Sequence, residues 1–287
     1  MRHLCFLFIL LYCLTGRVFA QADECNTADC INEQQLYLSL AVGYGQRSNP
    51  LHGGEKLDMV ILPDIYYYGK YLFFDNGRLG SSLQLSDNWQ LSLMGQLNQE
   101  KGYFQKWFSG NVLQFSSVSY PQPSRESDTE KLGPYQATIQ QIRKRRTAFD
   151  AGLQLDWFNN NWQFQAAIWN DVSNTYNGQH ASIAASRNWH GDYGNWQLTG
   201  RLYWKSARLI DAYYGIHDDE AFYTEQYQGQ ASWQPELRLD WNKPLTERVG
   251  LIAFLRYLKL DSAMTESPLV RTDNVTTWFL GVSYRFF

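Results

Sequence analysis

The chain has 287 residues, of which 44% are hydrophobic and only 18% charged, with a formal net charge of −3. That length suits one large domain or two small ones, and the slight acidity excludes the basic surface that nucleic-acid binding requires. The 11 Trp and 19 Tyr exceed ordinary soluble usage and ask for an unusual solvent.

In chain order, Arg2 and His3 precede an apolar run from Leu4 to Leu14, and Val18-Phe19-Ala20 follows. The run is too short to span a bilayer as a helix. Residues 1–20 therefore read as a secretory signal peptide cut after Ala20. Its loss removes Arg2 and Arg17, leaving 23 basic residues against 28 acidic ones and a charge near −5. Residues 21–34 form a short segment expected in the periplasm. It contains Cys25 and Cys30, which could close a small disulfide loop in an oxidising compartment. No second Cys or His pair stands near them, so neither a metal site nor any cofactor is expected.

No later stretch holds 18 consecutive apolar residues, which leaves a soluble exported protein or a β-barrel whose alternating strands escape hydropathy. Alternation predicts twelve strands, near 35–46, 57–68, 70–75, 79–86, 89–98, 147–157, 161–170, 180–189, 195–205, 231–241, 248–259 and 276–287. "NWQLTGRLYWKS", residues 195–206, is a clear instance. Trp196, Leu198, Gly200, Leu202 and Trp204 point one way, and polar or amphipathic side chains the other.

The connections alternate too. After the odd strands they are long, the third excepted; after the even strands they are short, such as Gly69, "DN" (87–88) and "FNN" (158–160). A membrane barrel has short periplasmic turns and long outer loops, whereas a soluble sandwich has no reason to sort loops by strand parity. Both termini then lie in the periplasm.

Tryptophans sort the same way. Trp89, Trp157, Trp162, Trp189, Trp196 and Trp241 flank short turns; Trp169, Trp204, Trp233 and Trp278 sit at long-loop ends; Trp107 lies within a loop. Two belts suit the two membrane interfaces, where indole finds an apolar medium and a wet partner for its N–H. Trp196 to Trp204, Trp233 to Trp241 and Trp278 to Phe286 are each eight residues apart, a rise of roughly 20 Å in a tilted strand. The opposite faces carry Asp150, Gln154 and Asp156, then Glu236, Arg238 and Asp240, with Arg201, Lys205, Arg256 and Arg285, as a polar lumen with paired charges requires. Pro235 lacks a ladder donor and predicts a bulge or a strand end.

The final strand, "TTWFLGVSYRFF", has apolar or aromatic residues alternating from Trp278 to Phe286, a pattern common at the ends of outer-membrane barrels. With "YYGI" (213–216), "SWQPELRLDW" (232–241), "LRYLKLDSAMTESPLV" (255–270), "GVSYRF" (281–286), "LPDIYYYGKYLFF" (62–74) and "SDNWQLSL" (86–93), the chain resembles the MipA/OmpV family of outer-membrane proteins. It departs from that pattern between Gln99 and Arg146. The resemblance implies a periplasm-facing scaffold that docks a murein hydrolase (a lytic transglycosylase) and a peptidoglycan synthase. It implies no catalytic motif.

The sequence offers other candidate chemistry. His180 and Ser182 have the His-x-Ser spacing of some barrel lipid hydrolases, but nothing nearby in the sequence orients the histidine. His217, Asp218, Asp219 and Glu220 lack the regular spacing of a calcium loop. Arg143, Lys144, Arg145 and Arg146, just before the sixth strand, form either a clamp for lipopolysaccharide phosphates or a solubilising charge run. The preceding "QATIQQIRK" (136–144) reads as a short helix. The expectation is a monomeric, all-β, transmembrane antiparallel barrel of about twelve strands over residues 35–287 in the outer membrane, in contact with lipid and lipopolysaccharide. It is a scaffold, or alternatively a small-solute channel, and not an enzyme.

Overall fold

The computed structural model of the chain describes residues 34–104, 136–220 and 225–286. The expected signal peptide, Cys25, Cys30, Trp107 and Phe287 lie outside these. The described residues form a closed antiparallel barrel. Its strands are β1 (Leu36–Arg47), β2 (Leu57–Tyr68), β3 (Phe73–Asp75), β4 (Arg78–Ser86), β5 (Trp89–Leu97), β6 (Phe149–Asn159), β7 (Trp162–Asp171), β8 (Gln179–Gly191), β9 (Gly194–Lys205), β10 (Ser232–Pro244), β11 (Val249–Lys259) and β12 (Asn274–Arg285). Each strand pairs with its neighbours in sequence, and β1 closes on β12 through Ser39↔Arg285 to Arg47↔Thr277. Closure pairs the sheet all the way round except beside the short β3, as a sheet that sits in hydrocarbon requires.

Period-two alternation explains the wall. Leu153, Ile168, Ile183, Leu237, Leu255 and Leu280 lie mid-strand on the outer face and are about half exposed, between 49% and 58%. An apolar band this continuous is incompatible with water and marks a lipid-facing surface. On the inner face Gln96, Asp150, Asp156, Thr199, Gln234, Glu236 and Arg256 are buried.

The third strand is shorter than the sequence pattern suggests. It holds three residues that pair only with Tyr66–Tyr68 and with Arg78–Gly80. Asn76 and Gly77 both adopt positive φ, 46° and 88°, as a two-residue hairpin turn demands. Asn76 then closes the wall below: its N–H donates to the Ile65 carbonyl, and its side-chain oxygen accepts from the Ile65 N–H. Above that point β2 pairs with β1 alone among the described strands. The Ile65 main chain faces β3, so Pro63, two residues earlier, faces the same edge, where it has no N–H to leave unpaired. Pro235 produces no bulge in β10. It sits one residue past the end of the β10–β11 ladder, which begins at Glu236↔Leu258, while β9 still pairs with it.

The long-loop end carries the non-strand structure: a 3₁₀ turn (Glu100–Tyr103), α1 (Ala207–Tyr214) and α2 (Ser262–Thr265). Residues 136–144 do not form a helix. Ile139 N–H donates to the His52 carbonyl and Gln140 to the Gly53 carbonyl, so the segment lies against the first loop around a single turn instead of coiling.

Candidate functional site

A small apolar core built from connections packs at the long-loop end of the barrel. In α1, Leu209, Ile210, Tyr213 and Tyr214 recur at helical spacing and are essentially fully buried. Two turns of helix are too short to persist alone, so packing of this face holds them. They meet Leu51 from the first loop, Tyr103 from the 3₁₀ turn, Met264 from α2 and Leu269 and Val270 beyond it, in one contiguous apolar cluster.

Polar pins fix this cap to the wall. Glu100 accepts from Tyr214 Oη at 2.5 Å and from Lys205 Nζ at 2.5 Å, joining the 3₁₀ turn, α1 and β9. Burial opposes the Glu100 charge, but the Lys205 ammonium and the two hydrogen bonds prevail and hold its carboxyl below the ordinary range. Burial and the Glu100 charge together push the Tyr214 phenol well up. Ser267 Oγ donates to the Tyr214 carbonyl, and Tyr227 Oη to the Ala263 carbonyl. A second pin is Asp150, fully buried on β6, which accepts from Asn98 at 2.7 Å, from Tyr176 at 2.7 Å and bonds His180 Nε2 at 2.9 Å.

Beneath the cap the lumen is polar and holds two adjoining cavities. The upper one is lined by Arg78, Gln96, Glu100, Tyr203, Lys205 and His180 among others. The lower one, about 300 Å³, runs toward the short-turn end, past Gln163 and Gln197. Arg78, Arg201 and Arg256 line both. Arg256 pairs with Glu236 at 2.5 Å and Arg238 with Asp240 at 2.6 Å.

Several residues singled out in the sequence are now placed. Nine of the ten belt tryptophans lie on outward positions, with Trp89 beside Trp157, Trp196 between Trp189 and Trp241, and Trp204 beside Trp233. Trp162 and Trp278 are 43% and 38% exposed. Trp169 departs: it is 4% exposed, faces the lumen and stacks on His180 at 6.0 Å. The reason is parity, because Trp169 is seven residues from the outward Trp162. His180 and Ser182 also face the lumen, away from acyl chains, and His180 is engaged by Asp150.

The basic run divides. Arg145 is buried and donates to Glu220 at 2.8 Å and to the carbonyls of Tyr213 and Gly215. Arg143, Lys144 and Arg146 stay exposed, Arg143 with an ion pair to Asp219 at 3.3 Å. His217 and Asp218 turn to Asp211 and Gln226, so these acids do not converge with Glu220, and no metal-ligand cluster occurs among the described residues. Glu100 and Arg78 were not singled out by the sequence, and Asp150 was read only as one of several lumen-facing polar residues, since their partners lie elsewhere in the chain.

The model of a protein family described as MltA-interacting protein MipA matches residues 38–286. "Putative outer membrane protein YiaT" of Escherichia coli K12 is 27% identical over 256 residues, covering 87% of this chain and 91% of its own; YiaT of strain O157:H7 matches equally. Among solved structures, a bacterial polysaccharide outer membrane secretin aligns with 90% of this chain and 100% of its own at 10% identity and a TM-score of 0.43. The NanC porin aligns with 86% and 98% at 11% identity and a TM-score of 0.38. A match spanning all twelve strands, on a lipid-faced closed barrel, places the chain in the MipA family of outer-membrane proteins.

Proposed function

We propose that this barrel is a closed, periplasm-facing scaffold for peptidoglycan-remodelling enzymes. The observation that carries the reading is the cap. Residues with no exposed surface, among them Leu51, Ile210, Tyr214 and Met264, pack as an apolar core across the outer mouth among the described residues. A barrel capped in this way is suited to hold something rather than to pass it. The family description names an interaction with MltA, and the resemblance of the sequence to that family implies that the partner is a lytic transglycosylase, with a murein synthase alongside. The barrel's contribution is anchoring, with the short turns and the N-terminal segment offered to the periplasm.

The test has two arms. Purified barrel in a planar bilayer gives no steady current, and barrel immobilised in detergent retains a purified lytic transglycosylase of the MltA class. Failure of retention removes the scaffold reading. Steady single-channel steps favour a second reading, a small-solute channel, to which the polar lumen and its cavities lend support.

The exposed members of the basic run, Arg143, Lys144 and Arg146, stand at the outer rim where lipopolysaccharide phosphates lie, and we include that contact in the proposal. Barrel monomers in lipid complete it.

A further inference from the structure

The lumen contains cations of two kinds. Arg238, Arg256 and Lys205 each meet a carboxylate: Asp240, Glu236 and Glu100. Arg78 and Arg201 do not. Arg78 Nε donates to Gln96 Oε1 at 3.2 Å. Arg201 donates to the Tyr203 hydroxyl at 3.2 Å and to Gln165 Oε1 at 3.4 Å, and its buried Nε has no partner. These acceptors are all neutral, and no carboxylate among the described residues lies within ion-pair distance of either guanidinium.

The nearby acids are already engaged. Glu236 is held by Arg256, Asp240 by Arg238, and Glu100 by Lys205 and Tyr214. Asp75 accepts only from the neutral donors Tyr68 and Asn76, and its charge reaches Arg78 from beyond ion-pair distance, leaving Arg78 without a direct carboxylate partner. Arg78 enters from the start of β4 and Arg201 from the middle of β9, on well-separated parts of the wall, and both line both cavities. Two like charges therefore face one confined, partly dehydrated space. Such an arrangement is costly unless an anion neutralises it.

We propose that the lumen holds a binding site for a small oxyanion, a carboxylate or phosphate group, between Arg78 and Arg201. A guanidinium presents parallel N–H donors that match two oxygens of such a group. Gln96, Gln165 and Tyr203 stand beside it to bond the ligand's remaining polar atoms. The lower cavity gives access from the short-turn end while the cap blocks the other, so the ligand arrives from the periplasm. The site holds whether the barrel is a scaffold or a channel, because it depends only on the lumen charges.

The experiment uses the full-length folded barrel in non-ionic detergent, dialysed into anion-poor buffer. Its melting temperature is followed against inorganic phosphate, glucuronate and glucose. Phosphate, glucuronate or both raise the melting temperature in a saturable way, and glucose does not; the two anions distinguish a phosphate from a carboxylate ligand. Arg78→Gln and Arg201→Gln weaken the response by a factor of about 30 or more. In anion-poor buffer Arg78→Gln melts higher than the unaltered chain, because it relieves the repulsion. Arg248→Gln, at the exposed β10–β11 turn, responds like the unaltered chain. Folding of each variant is checked by the band shift on boiling, and Arg201→Lys, which keeps the charge but loses the fork, replaces Arg201→Gln if that variant does not fold. No response to either anion at about 1 mM, or an equal response in Arg78→Gln, overturns the proposal.

Discussion

Tyr214 donates its hydroxyl hydrogen to Glu100 across two different connections, and Lys205 approaches the same carboxylate from the barrel wall. This three-way junction is where the cap is fastened. Glu100→Ala strands a buried ammonium and is expected to cost about 3–5 kcal/mol. Tyr214→Phe removes one hydrogen bond to a charged group, about 1.5–3 kcal/mol. Urea midpoints of the detergent-folded protein measure both, and planar-bilayer recordings of Glu100→Ala should show intermittent current where the unaltered barrel shows none.

The same junction sets a pH dependence. Glu100 titrates below its ordinary value of 4.5 in the folded chain, so the folded state binds its proton less readily than the unfolded state. The stability it contributes is complete above that ordinary value and drains away as pH falls through the lowered one. Urea midpoints recorded downward from pH 6 should fall below about pH 4.5 in the unaltered chain. The fall should be shallower in Glu100→Gln; parallel curves would remove Glu100 as the cause.

Arg143 and Arg145 are two residues apart and should behave as different kinds of residue. Arg145→Ala leaves buried Glu220 with no cation but the exposed Arg143, at the longer 3.9 Å, a loss of about 3–5 kcal/mol. Arg143→Ala, at an exposed pair, should change stability by about 0–1 kcal/mol. Combined Arg143→Glu and Arg146→Glu should instead lower the lipopolysaccharide that copurifies with the barrel, at unchanged urea midpoint. Unchanged lipopolysaccharide would mean the run serves only to keep the loop soluble.

The parity of Trp162 and Trp169 can be tested by light. Chains that retain a single indole at Trp204 or Trp196 should lose most of their fluorescence in vesicles of brominated lipid. A chain that retains only Trp169 should not, since that ring lies against His180 inside the wall. Strong quenching of Trp169 would reverse the assignment of faces along β7.

Much of the barrel was legible because lipid on one side and water on the other make every strand state both faces. Trp196, Leu198, Gly200, Leu202 and Trp204 read directly as one ridge, and the strand they form runs Gly194–Lys205. The inward orientation of Trp169 was legible as well, in its odd spacing from Trp162, but the habit of placing Trp in belts masked it. The cap was not legible. Leu209, Ile210, Tyr213 and Tyr214 have helical spacing, yet over too few residues to stand out, and what they pack on comes from distant stretches on both sides of them in the chain. Glu100 and Lys205 are 105 positions apart, and Arg145 and Glu220 are 75, so no local pattern announces either pair. The third strand read longer than it is because "KYLFF" has the composition of a strand, whereas Asn76 ends the pairing with Ile65.

A last test concerns the seam. Gly43 pairs with Gly281, and a Cβ on Gly43 would come within 2.1 Å of the Leu280 carbonyl oxygen and 2.5 Å of the Gly281 Cα. Both are main chain and neither can swing aside. Gly43→Ala should therefore lower the fraction that shows a heat-sensitive mobility shift, with an overpacking penalty of about 1–3 kcal/mol. Val42→Ala, on the exposed face next to it, should leave that fraction nearly unchanged.

Because the first strand finds its second neighbour only in the last, no portion of this polypeptide can complete itself while the remainder is still being made. Until residues 274–285 emerge, Leu36–Arg47 presents bare amides and carbonyls along one flank. Until that seam shuts, the chain carries a flank able to pair with any other exposed strand, and only the last strand takes that hazard away.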